Sequence, residues 1–279
     1  IQLMDSPDDP SLPFFAYGMF KPGQIAFFRL KELVRGLPQP TSIKGTLLLR
    51  DGLPIVDPQG EHSVQGVLLN FQDDKADEAY LRIATLEPDK HYSWGETQVG
   101  NARANVLLGR NPRKGSIACE EEWDGWTDPL FTSALDVVDE TLSLNKQFDW
   151  SLKPLFRLQM AYLLLWSAIE RYVSLRYHLG DKATAKVLHL ASEPAFKDAL
   201  QQQVKERREV HRADRPEDKE LLDSSCPEKS LRYYYQIRSN ITHRGKAVGR
   251  DHDRLLEAGE QLNQIFRCVL SAARAEANY

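Results

Sequence analysis

The chain has 279 residues, 42% of them hydrophobic and 27% charged, with a formal net charge of −4. That balance argues against a disordered or fibrous polymer and against a surface coated for nucleic acid. Three scattered cysteines, Cys119, Cys226 and Cys268, form no CxxC pair, which argues against a disulfide scaffold and a Cys-based zinc site.

The predicted elements begin as short strands bounded by Gly and Pro, at Leu12–Tyr17, Ile43–Leu49, Val64–Leu69, Glu96–Val99 and Ala104–Leu108. Helical patterns interrupt them at Gln24–Val34 and Asp74–Thr85, with Asp73 or Asp74 as an N-cap for the second. From about residue 129 the pattern turns helical: Leu130–Leu144, Pro154–Tyr177, Lys182–Ala191, Pro194–Val210, Glu228–Thr242 and Asp251–Ala275. The longest uncharged apolar stretch, Leu158–Ile169, is far short of the ~20 residues a membrane helix needs. The opening IQLMDSPDDP has neither a basic nor an apolar region of a secretory signal, so a cytoplasmic protein with no membrane association is expected.

Charge divides the chain at the same place. Residues 1–120 carry 13 basic and 15 acidic side chains, residues 121–150 carry 1 and 8, and residues 151–279 carry 22 and 17. A domain over 1–118, an acidic linker over 119–128 and a mildly basic helical domain over 129–279 are therefore expected.

Two constellations carry chemistry. In the first, Tyr17-Gly18-Met19-Phe20 closes a strand in a glycine turn before a helix, where backbone N–H groups can receive an anion or a carbonyl oxygen. Gly45–Leu49, Leu53–Val56, Val64–Leu69 and then Glu87 and Tyr92 follow in order. This resembles the gamma-glutamylcyclotransferase-like fold, a small mixed β-barrel with helices packed on it, over roughly residues 12–110. The resemblance implies Glu87 as general acid/base, and Tyr17, Gly18, Met19, Phe20 and Tyr92 around a small gamma-glutamyl-type ligand. A single carboxyl of raised pKa suits such a cyclisation, taking a proton from the attacking amine and giving one to the departing amine. Met19, Phe20 and Pro88 depart from the family pattern, which usually has Ser or Thr, Leu and Gly there. The loss of the turn hydroxyl at Met19 favours a sensing or structural module over turnover.

The second constellation is Arg238-Ser239-Asn240-Ile241-Thr242-His243-Arg244-Gly245, after an aromatic stretch Tyr233-Tyr234-Tyr235. Arginine offers a fixed cationic fork for phosphate oxygens, and histidine moves a proton near neutral pH. Together they suffice for metal-free RNA cleavage, the imidazole activating a 2′-hydroxyl while the cation offsets growing charge. On a straight helix five residues separate side chains by about 140°. The two converge only if the helix ends between them or a second subunit completes the site.

This segment resembles the Arg-x4–6-His motif of HEPN domains, over about residues 130–275, including the apolar helix Leu163–Ile169 followed by Glu170. The resemblance implies a homodimeric, metal-independent endoribonuclease of the toxin or phage-defence kind acting on RNA. It assigns Arg238 as transition-state cation, His243 as acid/base and Asn240 as polar support. No cofactor or metal site is expected, since the histidines show no ligand spacing. The basic run Arg207–Arg215 is interleaved with acids and reads mainly as a solvated helix face, with RNA contact as the sharper alternative.

The expected architecture is therefore α+β: a small mixed β-barrel domain followed by an all-α helical bundle. The preferred reading is a dimeric ribonuclease with the first domain as regulator. The alternatives are a cyclotransferase dimerised by the helices and a non-catalytic ligand-binding adaptor.

Overall fold

The structure is a computed structural model that describes residues 4–86, 91–119, 122–177, 183–244 and 249–278. It is a mixed α and β protein in two compact units, Ile1–Asp128 with Arg274–Tyr279, and Pro129–Ala273. Among the described residues no helix is long and apolar enough to cross a membrane.

In the first unit, β1 (Phe14–Ala16), β2 (Gln39–Lys44), β5 (Ser63–Leu69), β6 (Tyr92–Val99) and β7 (Ala102–Gly109) form one sheet in the order β2-β5-β1-β7-β6. Only the β1–β7 pair is parallel. β3 (Thr46–Arg50), β4 (Leu53–Asp57) and β8 (Ile117–Ala118) form a second, antiparallel sheet in the order β4-β3-β8. The described ladders are thus two open sheets, where a single barrel was expected. The predicted strand over Ile43–Leu49 divides at Gly45, which sends β2 and β3 into different sheets.

The central strand β1 reads Phe-Phe-Ala because it is buried on both faces. Helix α1 (Ala76–Leu86) inserts Tyr80 into an edge-to-face aromatic cluster with Phe14, Phe71 and Trp94. Its phenol donates to the Leu12 carbonyl at 2.6 Å and accepts from Asn105 at 2.9 Å, and burial holds its pKa up. The predicted helix over Gln24–Val34 is instead two 3₁₀ turns, Phe27–Arg29 and Lys31–Leu33. Ile25, Ala26 and Phe27 are buried in succession there, and Leu30 after them, whereas Lys31 and Glu32 are exposed, so the apolar residues follow no single helical stripe.

The second unit is built on α2 (Ser133–Leu144), α3 (Lys153–Tyr177), α4 (Ala183–Ser192), α5 (Pro194–Gln203), α6 (Pro227–Arg244) and α7 (Gly249–Ala277). Pro154 and Pro194 sit in first turns, where the missing N–H costs nothing. Leu165, Trp166, Tyr172, Tyr234, Leu262 and Phe266 fill the core.

This unit is not all-α. The predicted helix Pro194–Val210 stops at Gln203, and β9 (Arg208–His211) pairs antiparallel with β10 (Lys219–Leu222). The reason is visible in the alternation: Val210 and Leu222 are buried while their neighbours Glu209, His211 and Lys219 point to solvent. Each strand turns one residue fully inward, Val210 and Leu222, and leaves its charged residues outside or at the edge.

Candidate functional site

The first constellation closes on itself. Tyr17, Gly18, Met19, Phe20 and Tyr92 do line one cavity, together with Pro54. Its free space is about 10 Å³, room for a single water. The phenol of Tyr17 donates to the Leu107 carbonyl at 2.7 Å and that of Tyr92 to the Pro54 carbonyl at 2.8 Å, both buried. A Cβ on Gly18 would fall 2.6 Å from the Pro54 ring, so only glycine fits this close approach. Met19 and Phe20 are both buried. Glu87, the expected acid/base, lies outside the described residues, as does Pro88.

The segment read as an acidic linker is, where described, part of the first unit. Trp123 donates its indole N–H to the Gly52 carbonyl at 3.0 Å, and Trp126 donates to the Gly23 carbonyl at 2.7 Å. Gln24 bonds Asp124 at 3.1 Å and receives the Gly125 N–H at 2.9 Å. The Lys21 ammonium is buried and bonded to the Glu122 carboxylate and the Trp123 carbonyl. These polar anchors were invisible in sequence because they join residues about a hundred positions apart.

The second constellation is arranged differently. Helix α6 runs unbroken from Pro227 to Arg244, so Arg238 and His243 stand on one straight helix, about 140° apart around its axis. His243 falls in the last turn, where the structure describes its backbone; Gly245 lies outside the described residues. The sequence reading left two routes to convergence, and the continuous helix removes the one that ended it between the two residues.

Arg238 is held against α3. Its guanidinium lies 3.5 Å from the Glu170 carboxylate and 5.5 Å from the centre of the Tyr235 ring. The Tyr235 ring packs edge-on to Trp166. The arginine side chain keeps 28% of its surface exposed, yet its Nε is buried with no hydrogen-bond partner. A buried N–H left without an acceptor costs roughly 1–3 kcal/mol.

Asn240, two residues on, projects from a different side of α6. Its carbonyl oxygen accepts from the Ala213 N–H at 3.0 Å and from Gln236 at 2.8 Å, and its amide donates to the His211 carbonyl at 2.9 Å. It therefore clamps the β9–β10 hairpin to the helix one turn before His243. Arg238 and Asn240 are not brought together.

Of the three consecutive tyrosines, Tyr233 and Tyr234 belong to the core and Tyr235 is half-buried beneath Arg238. Burial pushes the Tyr233 phenol up to about 12, so it stays neutral at any ordinary pH. Sequence reading missed the hairpin and the place of Arg254, which lines a groove with it.

No protein-family model matches the chain, and no curated protein matches it. Among solved structures it is similar to the crystal structure of an uncharacterized protein from Pyrococcus horikoshii. The two are 20% identical, with 39% of this chain and 86% of that one covered, at a TM-score of 0.32.

Proposed function

We propose that the second unit is a HEPN-type, metal-independent endoribonuclease of the toxin or phage-defence kind. Arg238 serves as the phosphate and transition-state cation, and His243 as the acid/base. The observation that carries this reading is the underused guanidinium of Arg238: partly exposed, loosely paired with Glu170, and with one buried N–H lacking an acceptor. A phosphodiester oxygen would approach the exposed part of the guanidinium, and the ring of Tyr235 holds the cation in place.

In the reaction the imidazole withdraws the 2′-hydroxyl proton as that oxygen attacks its own phosphorus. The cation neutralises charge on the phosphoryl oxygens as the P–O5′ bond breaks, and the imidazolium returns the proton to the departing 5′-oxygen, leaving a 2′,3′-cyclic phosphate and a 5′-hydroxyl. Because α6 is continuous, the reading requires a homodimer in which one chain's Arg238 serves the other chain's His243. The first unit is assigned a regulatory role. Its glycine-turn cavity, filled by Met19 and Phe20, favours that role over gamma-glutamyl turnover.

The purified full chain incubated with total RNA and a chelator should cleave it and leave cyclic-phosphate ends. Arg238→Ala and His243→Ala should each abolish cleavage with the fold intact by circular dichroism. Cleavage that persists in both variants, or that requires a divalent ion, removes the reading.

A further inference from the structure

Beside the hairpin the second unit has a groove of about 690 Å³, within the size range of ligand sites. Its lining includes Arg207, Arg208 and His211 from the hairpin and Arg254 from α7, against the acids Glu209 and Asp223. Glu209 is already paired with Lys219 at 2.9 Å. The lining thus sets three guanidinium groups against two acids, while the carboxylates of Glu206, Glu257 and Asp251 pair with the same arginines from outside the lining.

The arginines are exposed and oriented by carboxylates: Arg207 by Asp223 at 2.8 Å, Arg208 by Glu206 at 3.0 Å and Glu257 at 3.5 Å, and Arg254 more loosely by Asp251 at 3.9 Å. Exposed pairs of this kind are worth at most ~1 kcal/mol each, so a phosphate can replace the carboxylate at little cost. The pairs meanwhile keep the guanidinium forks extended instead of free to wander.

The groove also leads toward the motif helix. Arg254 lines both this groove and a smaller apolar pocket that reaches Asn240. Asn240 in turn holds the backbone of His211 and Ala213, one helical turn before His243. The His211 Nδ1 lies 2.8 Å from the Pro216 carbonyl, which takes up that nitrogen as a donor and leaves Nε2 directed elsewhere.

We propose that this groove binds the phosphodiester backbone of a single RNA strand, with Arg207, Arg208 and Arg254 as phosphate ligands and Asn240 fixing the groove relative to the motif. The inference rests on the ribonuclease reading for its choice of polyanion. It adds a binding site that is separate from Arg238, which faces α3.

The test measures binding and cleavage separately. In a His243→Ala background, which spares the probe, a short labelled single-stranded RNA of mixed sequence is titrated against the full chain. The same titration is made with Arg207→Gln, Arg208→Gln and Arg254→Gln combined. Losing three phosphate contacts should flatten the log affinity against log salt slope by about 2, and so remove roughly 20-fold of the affinity loss between about 50 and 200 mM salt. An unchanged slope and affinity in the folded triple variant, or no RNA binding at low salt by its parent, overturns the groove whether or not the wild type cleaves RNA. Groove-dependent binding by a chain that never cleaves would leave the groove standing and remove the ribonuclease reading.

Discussion

The glycine turn of the first unit and the Arg238 helix of the second are both sites marked out by sequence motifs, yet they differ in what their polar groups are free to do. At the turn, both phenols are spent on backbone carbonyls and the space is taken by Met19 and Phe20. At the helix, a permanently charged fork is partly exposed and lacks an acceptor for one buried N–H. The difference teaches that residues of a motif can meet with their polar groups already committed, whereas a cationic group that the fold leaves incompletely paired is the more informative sign.

The largest effect expected on that comparison is at Arg238. Arg238→Ala should lower RNA cleavage by about 10²–10³-fold, the usual loss when one transition-state donor is removed. Arg238→Lys should not restore it, since an ammonium lacks the planar fork that sits over Tyr235. Full activity in the lysine variant would show that only a point charge is needed and would weaken the contrast with the turn.

At the turn the expected effect is on stability. Phe20→Ala empties a fully packed site and should cost about 3–5 kcal/mol in denaturant unfolding. A loss below about 1 kcal/mol would mean that the cavity is not filled as described. Smaller again is Asn240→Ala. It removes the clamp on the hairpin and should cost about 1–3 kcal/mol while speeding amide exchange at His211 and Ala213. Unchanged exchange there would detach the hairpin from the motif helix.

The smallest effect concerns pH in the first unit. The hydrogen bond from Arg113 to Asp57, 2.7 Å long, holds that carboxyl below its usual range, helped by the Gln59 N–H and opposed by burial. A depressed folded pKa means that the stabilisation is complete above the unfolded value of about 4 and fades as pH falls through the folded one. Arg113→Met should therefore lower the melting temperature by a few degrees near neutral pH and by progressively less in stronger acid. A gap that widens in acid would reverse the assignment.

Much of the helical unit was legible in advance. Long amphipathic periods, with Pro154 in the first turn of α3, placed α3, α6 and α7 to within a few residues, because a helix closes its hydrogen bonds locally. The hairpin was not legible. Residues 205–209, Lys-Glu-Arg-Arg-Glu, suit a helix by local propensity, and it is the pairing of 208–211 with 219–222 that makes a strand there. The same holds for the two sheets of the first unit, whose strands were largely recognised but whose partners were not. Five of the site residues named from the turn do share a cavity, but whether that cavity has room depended on Pro54 and on the bulk of Met19 and Phe20 in place.

The sequence by itself determined the residue types: a glycine where the chain passes close to Pro54, aromatic and apolar runs for two cores, and an arginine and a histidine five positions apart. Tertiary structure decided which of those groups are spent and which remain free. Hydrogen-bond partners such as Trp126 with Gly23, or Asn240 with His211, lie tens of residues apart and are fixed only when the chain has folded. Charge, volume and helical period are properties of neighbours along the chain, whereas an acceptor for the Arg238 N–H is a property of neighbours in space.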